Sequence, residues 1–111
     1  MFGFLKRKNK KEKNIKIVIN FNDTQLDLVL KILNATRNDY LKDGIMFDEL
    51  NDICKKLFIA NYSKNKKIVI NEEEFNIIVN LLNKYCRALE EKNINTLELD
   101  YTILEIIAQN E

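Results

Sequence analysis

With 111 residues, 46% apolar and 32% charged, the chain has length for one core and charge enough to solvate the outer faces of a small helical fold, which excludes wholesale disorder. Its two cysteines, Cys54 and Cys86, sit within helical apolar patterns, which argues against a secreted disulfide scaffold and for reduced core thiols. No apolar run approaches the roughly 18 residues that span a bilayer, and residues 1–5 are too short and wrongly ordered for a signal peptide, so a cytoplasmic location is expected.

Charge is unevenly placed along the chain. Residues 1–16 hold seven cations against the single carboxylate of Glu12, a balance of +6, and since the whole chain is +1 the remainder carries −5. Residues 1–14 therefore read as a basic arm ahead of an acidic globular domain, 15–111. Lys6, Arg7, Lys8, Lys10, Lys11 and Lys13 are the candidate contacts to an anionic partner. That partner is either nucleic-acid phosphate or, with help from Phe2, Phe4 and Leu5, an anionic membrane surface. The plainer alternative for such a terminal run is a solvated, flexible tail.

After the arm, Ile15-Lys16-Ile17-Val18-Ile19 alternates as a β-strand with Ile15, Ile17, Ile19 and Phe21 on one face. A helix follows from about 23 to 42, opened by Asn22 with Gln25 three residues on, the spacing of a capping box, and closed at Asp43-Gly44. A second helix carries Met46, Phe47, Leu50, Ile53, Cys54, Leu57 and Phe58 as one apolar stripe. The basic linker 64–67 then leads into a second strand at Ile68-Val69-Ile70. A third helix, about 72–92, opens at Asn71 with Glu74 three residues on and closes at Lys92-Asn93. The fourth begins an apolar stripe at Leu97, Tyr101, Leu104 and Ala108, widened by Leu99, Ile103, Ile106 and Ile107.

A shift of 49 residues brings Asn22 onto Asn71, Gln25 onto Glu74, Asn34 onto Asn83, Ile45 onto Ile94 and Glu49-Leu50 onto Glu98-Leu99. The two Ile-Val-Ile strings are offset by two further residues, which makes Asn20-Phe21 an insertion in the first half. The expected fold is thus α+β and mainly helical: two tandem β-α-α repeats, about 15–62 and about 67–110. Together they form a β-α-α-β-α-α domain with a pseudo-twofold axis and a small two-stranded sheet. A two-stranded sheet leaves open edges and the fourth helix is broadly apolar, so a homodimer is one expectation.

Several chemistries lack their residues. There is no histidine, the usual general base near neutral pH, and neither cysteine has an activating neighbour in sequence, so no catalytic site is expected. Two cysteines 32 positions apart without histidine make no four-ligand zinc site, and Gly3 and Gly44 alone make no phosphate-cradling loop, so no metal or cofactor is expected. Helices three and four carry far more carboxylates than cations, which disfavours a groove-reading helix and leaves nucleic acid to the arm and the 64–67 linker. By elimination the expected function is a non-enzymatic protein-interaction module. The skew toward Asn, Lys and Ile, as an AT-rich coding sequence gives, suits a phage- or mobile-element-encoded inhibitor or adaptor acting on a host protein such as a defence nuclease. Nucleic-acid binding through the arm is the alternative, and peripheral membrane association a second one.

Overall fold

A computed structural model describes residues 15–110. In chain order it contains β1 (Ile17–Asn20), α1 (Asp23–Lys42), α2 (Asp48–Asn61), β2 (Lys67–Ile70), α3 (Glu72–Glu91) and α4 (Leu97–Ala108). The described residues are mainly helical with one two-stranded antiparallel sheet, in which Ile17 pairs with Ile70, Ile19 with Ile68 and Asn20 with Lys67. Among the described residues no helix is long and apolar enough to cross a membrane.

The long helices start and stop for identifiable reasons. Asn22 takes an extended conformation and its side-chain oxygen accepts from the Gln25 N–H at 2.7 Å, while the Asn22 N–H donates back to Gln25 Oε1 at 3.0 Å. Asn71 and Glu74 make the same reciprocal pair at 2.7 and 3.1 Å. Each box satisfies two N–H groups, one on the cap and one in the first turn. At the other ends Gly44 and Asn93 take positive φ, 77° and 60°, where the chain turns left-handed out of the helix. In both, the next residue donates back across the last turn, Ile45 N–H to the Tyr40 carbonyl and Ile94 N–H to the Leu89 carbonyl, while Gly44 and Asn93 donate to Leu41 and Glu90. These are Schellman closures. Asn71→Ala is expected to lower unfolding free energy by about 1 kcal/mol in urea titrations, and an unchanged midpoint would show the cap to be idle.

Buried residues from all six elements meet in one apolar cluster, with Ile19, Leu26, Leu33, Leu50, Ile53, Leu57, Ile78, Leu82 and Ile106 at its centre. Helix α1 packs on α2 and α3, α3 on α4, and α2 closes over β2. Two polar links tie helix starts to other elements. Glu74, only 6% exposed, accepts from Lys56 Nζ of α2 at 2.9 Å, and Gln25 donates to Glu105 of α4 at 2.6 Å. The outer edge of β1 is covered at Asn20, whose N–H donates to Gln109 Oε1 and whose carbonyl accepts from Gln109 Nε2, at 2.8 and 3.0 Å. One side-chain amide there replaces a strand residue.

Two details of the sequence reading are corrected. The inward row of α4 is Leu99, Thr102, Ile103 and Ile106, and not the stripe from Leu97 to Ala108, because the former lie about 180° round the helix from the latter. In α2 the inward row is Leu50, Ile53, Cys54, Leu57 and Ala60. Met46 precedes the helix, Phe47 is its cap and stacks edge-on with Tyr40, and Phe58 turns outward. Phe21 is buried and its N–H bonds the Lys66 carbonyl at 2.7 Å, which continues the pairing of the two strands past Asn20.

Candidate functional site

Helix α4 is apolar on two opposite sides. At about 100° per residue, Leu97, Tyr101, Leu104 and Ala108 fall within one 60° sector centred opposite the inward row. They are spaced four, three and four apart, the alternation of a coiled-coil seam. Leu97, Tyr101 and Leu104 are 58%, 62% and 61% exposed, so this seam faces outward without cover from the described residues. Glu98 and Glu105 lie along one flank, and Asp100 and Ile107 along the other; the helix contains no basic residue. At the seam's N-terminal end Asn95, Leu97, Glu98 and Tyr101 line a shallow depression.

The basic segments are arranged differently. Lys6, Arg7, Lys8, Lys10, Lys11 and Lys13 lie outside the described residues. The antiparallel register sets Lys67 beside Asn20, whereas the chain enters the sheet at Ile17 beside Ile70, so the 64–67 turn and the root of the arm are at opposite ends of the strands. Lys66 is half-buried and donates to the Asn61 carbonyl at 2.6 Å, which closes the end of α2. Lys64 and Lys67 remain exposed, and Asp23 shares the surface depression they line.

Two other clusters have ligand-like composition. A crevice of about 290 Å³ lies between α1 and α3, with Tyr40, Tyr85, Asp39 and Asp43 in its wall and Lys84 beside them. Such a volume is at the small end for an organic ligand, and its charges are mixed. Between α3 and α4, ligand atoms of Cys86, Glu90 and Asp100 lie within 4.8 Å of one another. Cys86 Sγ is 3.0 Å from Asp100 Oδ1 and 3.9 Å from Glu90 Oε2, and Thr96 Oγ1 donates to the other Asp100 oxygen at 3.1 Å. Those three side chains offer a metal one sulfur and two carboxylates. As the cluster stands, the thiol donates to Asp100 and joins the two helices.

Comparison with protein-family models, curated proteins and solved structures returned no match.

Both cysteines are buried and free. Burial pushes the Cys54 thiol above its ordinary range, opposed by the charge of Arg37. Cys86 is pushed up by burial first and then by its hydrogen bond to Asp100. The thiolate, which is the nucleophile, is suppressed at both, so neither is a poised reactive cysteine. Native-state labelling at neutral pH is expected to be slow at both positions and fast once the protein is denatured; rapid native labelling would contradict the burial. A raised thiol pKa means the folded state holds the proton more tightly. This contribution to stability is present below the ordinary thiol range and is lost as pH rises through the folded pKa.

Sequence reading found Leu97, Tyr101 and Leu104 and the apolar breadth of α4, but not which of its faces stays exposed, and it missed the grouping around Cys86. The Cys86–Glu90 spacing, one helical turn, was a usable signal; Asp100 joins only through the α3–α4 packing.

Proposed function

We propose that the chain is a non-enzymatic protein-interaction module that engages its partner through the outer face of α4. The observation that carries this reading is the exposed seam of Leu97, Tyr101 and Leu104, apolar side chains set opposite a helix face already buried in the core. Contiguous apolar surface with a polar rim is characteristic of a protein interface. An acidic helical surface on a small chain suits an inhibitor or adaptor acting on a host protein with a basic groove, such as a defence nuclease.

We infer also that the halves are copies related by a pseudo-twofold axis. Supporting this, Ile19 pairs with Ile68, its own equivalent at the 49-residue shift, so the axis would pass through that pair. The two helix-start links are equivalent under the same shift, Gln25–Glu105 and Glu74–Lys56, each joining one half to the other. The copies differ where the seam lies: Asp48, Asp52 and Lys55 stand in α2 where α4 has Leu97, Tyr101 and Leu104. A solvated position in one copy and an exposed apolar one in the other mark that face as acquired for contact.

Affinity capture from bacterial lysate, with intact and 1–13-deleted protein side by side and a nuclease-treated control, tests the function. Recovery of one stoichiometric protein by both forms supports it. A second reading, nucleic-acid binding through the arm and the 64–67 turn, is favoured by Tyr62, an aromatic ring 86% exposed at the start of that turn. Nuclease-sensitive recovery by the intact form alone would select it, with binding that falls steeply as salt rises.

A further inference from the structure

We propose that the occupant of the α4 seam is one amphipathic helix of a foreign protein, carrying an apolar a/d row flanked by lysine or arginine. The inference rests on the interaction reading above and adds the partner's shape and charge. Its shape follows from spacing. Leu97, Tyr101, Leu104 and Ala108 alternate four-three-four within one sector, the pattern that receives the knobs of a facing helix and not a strand or a flat surface. The depression among Asn95, Leu97, Glu98 and Tyr101 receives a knob at the end of that row.

Charge selects among helices. Taking the seam as positions a and d, the flanking positions are Glu98 and Glu105 on one side and Asp100 and Ile107 on the other. The helix bears these three carboxylates and no cation. A second copy packed by its own α4 would therefore set Glu105 against Asp100 or Glu98 of the other copy with no cation to balance them, which disfavours a homodimer through this face. A helix with cations at those flanking positions pairs with them instead. Glu98 is exposed and engages no basic side chain, and Glu105 is held by the neutral Gln25 amide, so both keep their charge uncompensated by any basic side chain among the described residues.

The test uses a synthetic peptide of about three heptads, with leucine at a and d and lysine at the flanking positions. Three controls accompany it: glutamate at the flanks, a scrambled peptide of equal charge, and the chain carrying Leu97→Asp, Tyr101→Asp and Leu104→Lys. Those substitutions install the residues that α2 bears at equivalent positions, where a helix of the same fold carries them exposed. Titration of the full chain is expected to show saturable one-to-one binding of the lysine peptide. The triple variant should bind it about a hundredfold more weakly while keeping its helical signal and unfolding midpoint. Raising salt from low to well above physiological strength should weaken the wild-type complex about tenfold.

Equal binding of the glutamate or the scrambled peptide overturns the proposal. So does a wild-type chain that sediments as a dimer while the triple variant is monomeric, which would assign the seam to a second copy. Deletion of residues 1–13 that tightens peptide binding about tenfold or more would assign it to the chain's own basic segment. If the triple substitution abolishes capture of the natural partner but the peptides do not discriminate, the interaction reading stands and the basic-helix inference alone fails.

Discussion

Leu57→Ala is expected to lower the unfolding free energy by about 3 kcal/mol, while Leu104→Ala changes it by less than about 0.5 kcal/mol. Leu57 is fully buried on the inward row of α2, where α2 meets α1, β2 and α3, and truncation there removes packed methyl groups and leaves a cavity. A chain of this size has only about 5–15 kcal/mol of stability in total, so the melting midpoint should fall by roughly 15 °C. Leu104, on the outer seam, is 61% exposed, so most of the surface it loses is already in contact with water. Thermal and urea unfolding of the two variants decide the matter. A large loss at Leu104 would mean that the fourth helix buries its other face.

The second large effect is at the Lys56–Glu74 link. Glu74→Ala removes the return bond of the α3 capping box and the acceptor of Lys56 together, with an expected cost of about 2 kcal/mol. Lys56→Met removes only the ion pair. The Lys56 side chain is 38% exposed, so solvent screens that pair and the cost is about 1 kcal/mol. Lys56→Glu is worse than either, because it brings a second carboxylate to a buried one. Adding Glu74→Gln to Lys56→Glu recreates the residue types of the Gln25–Glu105 link, and this double variant should recover most of the stability lost in Lys56→Glu alone. A double variant no more stable than the single one would remove the equivalence of the two links. The outcome bears on the duplicate-halves inference as much as on the ion pair.

Element types, their order and the ends of the long helices were legible because they depend on short-range chemistry. Asn22 with Gln25 and Asn71 with Glu74 announce helix starts, and Gly44 and Asn93 announce stops, through bonds that span only a few residues. Strand register was less legible: the Ile-Val-Ile string drew attention to identity, while the alternation of Ile19 and Phe21 with Asn20 set the pairing. Which apolar face of α4 turns inward was not legible, for a physical reason. Two apolar rows on one helix have equal claims to the core when viewed alone, and only the position of α3 and the sheet end decides between them. Thr102 belongs to the buried row and weakened its signal, although its hydroxyl is satisfied by the Glu98 carbonyl at 2.9 Å. The meeting of Cys86 with Asp100 and of Lys56 with Glu74 depends on contacts between elements, which no local pattern encodes.

The outward seam of α4 as an interaction surface is tested most directly by partner capture with the triple variant, Leu97→Asp, Tyr101→Asp and Leu104→Lys, beside the wild-type chain at matched folded concentration. The variant is expected to keep its unfolding midpoint and to recover almost none of the partner retained by the wild-type chain. Equal recovery by both, with the variant fully folded, would contradict it and move the interface elsewhere on the molecule.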